Sequence, residues 1–229
     1  MNLAALFSGG KDSTYAIHAA QKMGHSVKCL VTILTISADS HLLHHQNIGL
    51  TALQAKSMGI PQILAISDSA ETEKEVGLLR SSLQKARDEY KIDGVVHGGI
   101  LSEFQKKNFE KIASDLNLQV ISPIWKSDQA KYMDDLLEGG FEFVISSVSC
   151  DGLDDSWLGK KITRDDLAVL KKLAEKHGFN LSFEGGEAET FVTNCPLFSS
   201  PIKILESSKE WDGYRGIFEI TQARINSDA

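Results

Sequence analysis

Leu3-Ala4-Ala5-Leu6-Phe7-Ser8-Gly9-Gly10-Lys11-Asp12-Ser13-Thr14-Tyr15 is the stretch that decides the fold. A short apolar run, Leu3 to Phe7, leads into a Gly-Gly turn, and a helical pattern from Tyr15 to Met23 follows. The order strand, glycine turn, helix start is what an anion site needs. Two glycines let the backbone approach closely because no Cβ intervenes. The free N–H groups of the helix's first turn and the positive end of its dipole then favour a negative ligand. Ser8 and Ser13 add hydroxyls at the two ends of the turn. Neither the mononucleotide loop, with four residues between its glycines, nor the G-x-G-x-x-G dinucleotide fingerprint fits this stretch.

The segments after the loop alternate. Val27 to Ile36 is nearly continuous and β-branched, as a strand buried on both faces should be. A short helix around Leu50, Leu53 and Met58 ends at Gly59, and Ile60 to Ile66 is the next strand. Glu71 to Tyr90 is a charged amphipathic helix, Asp93 to His97 a fourth strand ending in Gly98-Gly99. Ser102 to Leu116 is helical with Ser102 as N-cap, and Gln119 to Ser122 is a fifth strand closed by Pro123. Repeated βα units predict an α/β fold with a five-stranded parallel, Rossmann-like sheet and helices on both faces. Ligands of such sheets lie beyond the carboxyl ends of the strands. That places the Ser8 loop, the segments after Ile36 and Ile66, and Gly98-Gly99 around one crevice.

The pattern changes after Pro123. Asp128 to Leu137 reads as a helix, Phe141 to Val148 as a strand, and Thr163 to His177 as a helix opened by a near capping box. Ile202 to Leu205 and Gly213 to Ile225 read as antiparallel strands. The expectation is two units: 1–125, and a smaller α+β domain over 126–229.

The 229 residues carry a formal net charge of -7, which argues against a nucleic-acid partner. Cys29, Cys150 and Cys195 form no C-x-x-C pair, and with no secretory segment in sight the expected compartment is a reducing cytoplasm. Cys29 reads as core; Cys195, in a polar segment, reads as a bystander or a reactive thiol. No apolar run is long enough for a membrane span. Oligomeric state is open, a homodimer included.

Three more stretches carry chemistry. Ser149 to Gly159 holds Asp151, Asp154, Asp155 and Trp157; its plain reading is a capped turn with the tryptophan pinned to a core. Phe183 to Phe191 crowds Glu184, Glu187 and Glu189 around Gly185-Gly186, and like charges so close call for a cation: magnesium, ammonium or a lysine. Gly98-Gly99 opens a helix carrying Ser102, Gln105, Lys106 and Lys107, suited to a phosphate or a carboxylate. His97 at a strand end is either an acid–base group or a satisfied core histidine. His41, His44 and His45 lack a second ligand set for a metal.

Ser-Gly-Gly-x-Asp-Ser resembles the pyrophosphate loop of the N-type ATP pyrophosphatases, which cut ATP between the α and β phosphates. Ser8 to Ser13, Gly152 to Gly159 (Gly-Leu-Asp-Asp-Ser-Trp-Leu-Gly) and Glu184 to Phe191 (Glu-Gly-Gly-Glu-Ala-Glu-Thr-Phe) together resemble the diphthine–ammonia ligase family. Pro123-Ile124-Trp125, Pro196-Leu197-Phe198, and His44 and Asn47 ahead of Leu50-Thr51 and Gln54-Ala55 extend the likeness. The resemblance implies ATP and Mg2+ as cofactors. It also implies adenylation of the diphthine carboxylate on translation elongation factor 2, and displacement of AMP by ammonia. The length resembles archaeal single-chain members. Two features depart from the family: Ala188 stands where many relatives have an aromatic residue, and Gln105-Lys106-Lys107-Asn108 replaces Gln-Arg-x-Arg, keeping charge but not the guanidinium fork.

On this resemblance Gly9, Gly10 and Lys11 amides with Ser8 and Ser13 would hold pyrophosphate, Lys11 would offset its charge, and Asp12 would orient the loop or hold the metal. Adenine would lie near Leu6, Phe7 and Thr32 to Leu34, with His44, Gly98 and Gly99 completing the nucleotide contacts. Ser102, Gln105, Lys106, Asp151, Asp154 and Trp157 would face the substrate. Glu184, Glu187 and Glu189 would serve amidation. The alternatives are another adenylating enzyme, such as a tRNA-modifying ligase, and a sensor that binds ATP without turnover.

Overall fold

The computed structural model describes residues 1–35, 47–67 and 71–226. In chain order the elements are β1 (Asn2–Leu6), α1 (Lys11–Lys22), β2 (Ser26–Thr35), α2 (Thr51–Met58) and β3 (Gln62–Ser67). Next come α3 (Thr72–Tyr90), β4 (Gly94–Val96), α4 (Glu103–Asp115) and β5 (Gln119–Ile121). The second half holds α5 (Gln129–Glu138), β6 (Glu142–Val148), α6 (Arg164–His177), β7 (Ala188–Asn194), β8 (Ile202–Trp211) and β9 (Gly216–Ile225).

The first five strands form one parallel sheet in the order β3-β2-β1-β4-β5. Alternation along β1 explains its two covered faces. Leu3, Ala5 and Phe7 pack with Ala16, Ile17 and Ala20 of α1, while Ala4 packs with Leu79 and Leu83 of α3 and Ile112 of α4. Cys29 lies in the second of these layers, fully buried, and burial pushes its thiol up to about 12. The order reverses at β1 and β4, so the crevice opens beyond their carboxyl ends, where the Gly9-Gly10 and Gly98-Gly99 turns sit.

Four antiparallel strands, β7-β6-β9-β8, form the second sheet. Its core gathers Met133 and Leu136 of α5, Leu167 and Leu170 of α6, and Phe143, Ile145, Phe191 and Phe218 from the strands. Thr163 and Asp166 close a reciprocal capping box at the start of α6, at 3.2 and 3.0 Å.

The sequence reading missed one strand. No strand was expected over Ala188–Asn194, but Thr190, Val192 and their neighbours pair with β6 along its whole length. β8 is also longer than the Ile202 to Leu205 expected. Cys195 is buried, and burial raises its thiol to about 11, so it is a core residue and not a reactive one. No helix among the described residues is long and apolar enough to cross a membrane.

Candidate active site

β7 lies against the loop that follows β1. Gly9 has φ +81°, and a Cβ there would stand 2.4 Å from Gln54 Oε1, so conformation and space both demand glycine. The Gly9 carbonyl accepts from Gln54 Nε2 at 3.0 Å and from the Val192 N–H at 3.0 Å. Gln54 also donates to the Val192 carbonyl at 2.8 Å, tying α2, loop and β7 together. The Gly10 carbonyl accepts from the Thr14 N–H, the Thr14 hydroxyl and the Ser13 hydroxyl. With both carbonyls so engaged, the N–H groups of Gly9, Gly10, Asp12 and Ser13 have no protein acceptor among the described residues. Four open donors at a helix start, flanked by the Ser8 and Ser13 hydroxyls 3.2 Å apart, fit an anionic ligand. The Lys11 amide is not one of them: it donates to Thr190 Oγ1 of β7 at 3.1 Å, which corrects the expectation that it would hold pyrophosphate.

The Lys11 side chain is 2% exposed. Its Nζ contacts both Asp12 oxygens at 3.0 and 2.9 Å and the Ser182 carbonyl at 2.5 Å, and lies 5.4 Å from the Phe183 ring centre. A buried ammonium needs such partners, because an unpaired one would be expelled or neutralised. Asp12, in the first turn of α1, also accepts from the Tyr132 hydroxyl of α5 at 2.7 Å.

Gly98 brings β4 against this first turn. A Cβ at Gly98 would lie 2.4 to 2.6 Å from the Asp12 carbonyl group and the Ser13 nitrogen. His97 holds the turn in place. It is 2% exposed; Nδ1 accepts from the Gly99 N–H at 3.0 Å, so Nε2 carries the proton it gives Ser122 Oγ at 2.7 Å. Burial, helped by Lys106, lowers its pKa from 6.5 to about 4. The satisfied core histidine is therefore the correct reading. Because the folded value lies below the unfolded one, stability is fully present above pH 6.5 and is lost as pH falls towards 4. The loss should reach about 3 kcal/mol in urea titrations between pH 7 and 4, and His97→Asn should flatten that slope.

The start of α4 meets the acidic segment. Glu184 Oε1 accepts from three successive amides, Ile100, Leu101 and Ser102, at 2.9, 3.0 and 3.3 Å. Burial raises the Glu184 pKa and nearby Asp12 adds to this, while the amides work against it. Glu187 braces its own loop: one oxygen accepts from the Asn180 N–H and Nδ2, the other from the Gly185 N–H. This holds Phe183 at φ +61°, an uncommon conformation for an aromatic residue. Glu189 stands on β7 opposite Ser147, one residue before Thr190.

Other candidates fall elsewhere. Phe7 and Thr32 are 3% and 1% exposed, and the Thr32 hydroxyl donates to the Phe7 carbonyl at 2.7 Å; their side chains serve packing. Lys106 lies 4.3 Å from the Trp125 ring centre. His44 and the Gln105 side chain lie outside the described residues. Asp154 caps the turn 155–157 through the Ser156 N–H, and Trp157 is 7% exposed within the second core. Asp151 is hydrogen-bonded to His177 Nδ1 at 2.9 Å, which holds its carboxyl below the usual range. Among the described residues no hydrogen bond or ion pair joins Asp151, Asp154 or Trp157 to residues 8–13. That motif meets the acidic one through Ser149, whose N–H donates to the Glu187 carbonyl at 2.8 Å. Among the described residues, no three His, Cys, Asp or Glu side chains are grouped to hold a metal without help from a ligand.

A parallel sheet whose first helix presents open amides at the switch point defines an α/β protein of the anion-loop class. Models of the diphthamide synthase N-terminal and C-terminal domains match residues 1–120 and 128–225. A zebrafish (Danio rerio) diphthine–ammonia ligase is 31% identical over 223 residues, covering 89% of this chain and 86% of that one. The Homo sapiens diphthine–ammonia ligase is 31% identical over 233 residues, covering 91% and 84%. A solved structure described as a predicted subunit of tRNA methyltransferase from Methanocaldococcus jannaschii is 18% identical, with a TM-score of 0.46, covering 86% of this chain and 98% of that one. The chain belongs to the diphthamide synthase family, that of the diphthine–ammonia ligases.

Proposed function

We propose that this protein is a diphthine–ammonia ligase, which uses ATP to amidate the diphthine carboxylate of translation elongation factor 2 and releases AMP and pyrophosphate. The match to ligases of that name over about nine-tenths of the chain carries the reading. The relatives reported above at 31% identity carry the ligase name, and the alternatives, a tRNA-modifying ligase or a sensor, are not favoured. Residues 1–125 form the nucleotide unit in this account and 126–229 the substrate unit.

A carboxylate is a poor acyl donor because oxide leaves badly; joined to AMP it gains a good leaving group. The four open loop amides receive the pyrophosphate as its charge grows, beside the Ser8 and Ser13 hydroxyls, which hold the turn. Lys11 and Asp12 set the electrostatics at the start of α1. Mg2+ usually keeps several waters and takes one or two carboxylates plus substrate phosphates, and Asp12 is the carboxylate placed to serve it, where the ion would neutralise phosphate charge. Glu184 meets the turn after β4 from the second unit and suits the amidation half, attracting ammonium and accepting a proton from the attacking amine, with Glu189 of β7 assigned to the same half.

Glu187→Gln tests the acidic segment. Gln would turn an NH2 group towards one of the loop donors, costing about 1–3 kcal/mol. ATP binding by calorimetry should be nearly unchanged and amide formation suppressed; an unaltered amidation rate would remove Glu187 from the account. The function itself is tested by incubating the protein with diphthine-bearing elongation factor 2, ATP, Mg2+ and ammonium. Intact-mass analysis should show the carboxylate converted to the amide, in step with AMP; ATP binding without turnover would support a sensor.

A further inference from the structure

Tyr132 is 3% exposed, and its hydroxyl donates to Asp12 Oδ1 at 2.7 Å across the junction between the two sheets. Its backbone is fixed in the first turn of α5. The Tyr132 N–H donates to the Asp128 carbonyl at 2.9 Å, and the Asp128 side chain caps the helix through the Lys131 N–H at 2.8 Å. Its ring stands edge-on to Tyr15 of α1, with centroids 5.3 Å apart and planes at 76°. A phenylalanine would fill the same space and keep the same ring contact. What the tyrosine adds is one hydrogen bond to the carboxylate beside the open amides.

Asp12 has only two kinds of side-chain partner among the described residues, Lys11 and Tyr132. Lys11 spans both oxygens and does not distinguish them, whereas Tyr132 engages Oδ1 alone. The phenol therefore fixes the rotation of the carboxylate and leaves Oδ2 as the oxygen with lone-pair capacity for a cation on the loop's ligand.

We propose that Tyr132 is a positioning residue: from the second unit it orients the Asp12 carboxylate so that the loop binds and releases pyrophosphate as its magnesium complex. The proposal rests on the reading of the loop as the pyrophosphate site. It makes nucleotide cleavage depend on the packing of α5, so the substrate unit contributes directly to the ATP half of the reaction.

The test is a double-mutant cycle of Tyr132→Phe and Asp12→Asn, read by calorimetric binding of magnesium pyrophosphate to the full chain, with AMP formation measured alongside. Tyr132→Phe alone should weaken binding about tenfold, and lower kcat for AMP formation while leaving the KM for ammonium unchanged. In the Asp12→Asn background the same change should alter binding by less than about twofold. Equal losses in both backgrounds would show that Tyr132 acts only through packing and would overturn the proposal, as would wild-type binding by Tyr132→Phe. Absence of magnesium pyrophosphate binding by the wild-type protein would instead remove the loop reading on which the proposal stands.

Discussion

Gly98→Ala should leave a folded protein that forms AMP about 100-fold more slowly. The new methyl group would stand 2.4 Å from the Asp12 carbonyl carbon, 2.5 Å from its oxygen and 2.6 Å from the Ser13 nitrogen. All three are backbone atoms, so no side chain can swing aside. Either α1 or the turn after β4 must retreat, at about 1–3 kcal/mol of overpacking. The turn carries the three amides that receive Glu184, and the helix carries the open amides of the loop, so any retreat separates the two halves of the site. Displacements near 1 Å cost about 100-fold where reacting groups must be aligned. Thermal unfolding followed by circular dichroism should show a modest loss of stability. AMP formation within about threefold of wild type would mean the contact between β4 and α1 does not govern the reaction.

Lys11→Met should be the more damaging substitution. Methionine matches much of the stem's length but supplies no donor. The Ser182 carbonyl would lose the Nζ contact, and Asp12 would keep, among the described residues, only Tyr132 as a side-chain partner. Leaving these groups unpaired should cost about 2 kcal/mol, reduced at Asp12 because its side chain is 28% exposed and water can replace part of the contact. On the proposed reading, in which Lys11 offsets developing phosphate charge, the kinetic loss should be larger, about 1,000-fold in AMP formation. Lys11→Arg should not restore it, since a planar guanidinium does not fit a site sized for an ammonium and 2% exposed. Single-turnover release of AMP measures both variants. More than a tenth of wild-type activity in Lys11→Met would assign Lys11 to the junction between the sheets alone.

Much of this arrangement was legible in the chain. Alternating apolar and helical periods announced the parallel sheet, and Ser-Gly-Gly-Lys-Asp-Ser announced the anion loop, because glycines at a strand-to-helix turn are local features with local causes. The residues that hold the loop were not legible in their roles. Gln54 reaches Gly9 across 45 positions and Tyr132 reaches Asp12 across 120, and no periodicity encodes such pairs. β7 was hidden because its first residues carry the carboxylate pattern of a loop, while its pairing with β6 is a long-range property. Carboxylate density alone does not separate positions: Glu187 and Asp154 look alike in sequence to Glu184, yet both accept from amides of their own turns, whereas Glu184 accepts from the distant turn after β4. Trp157 shows the same limit, since a tryptophan in a glycine-rich motif serves a core as readily as a ligand, and here it is core.

The central claim is that the loop after β1 joins AMP to the diphthine carboxylate before ammonia arrives. Elongation factor 2 whose diphthine carboxylate carries heavy oxygen tests it most directly, by mass analysis of the released AMP. Transfer of one heavy oxygen into AMP, with none in pyrophosphate, is the predicted result. Amide formed while AMP stays unlabelled, with heavy oxygen in a different phosphate product, would contradict the account.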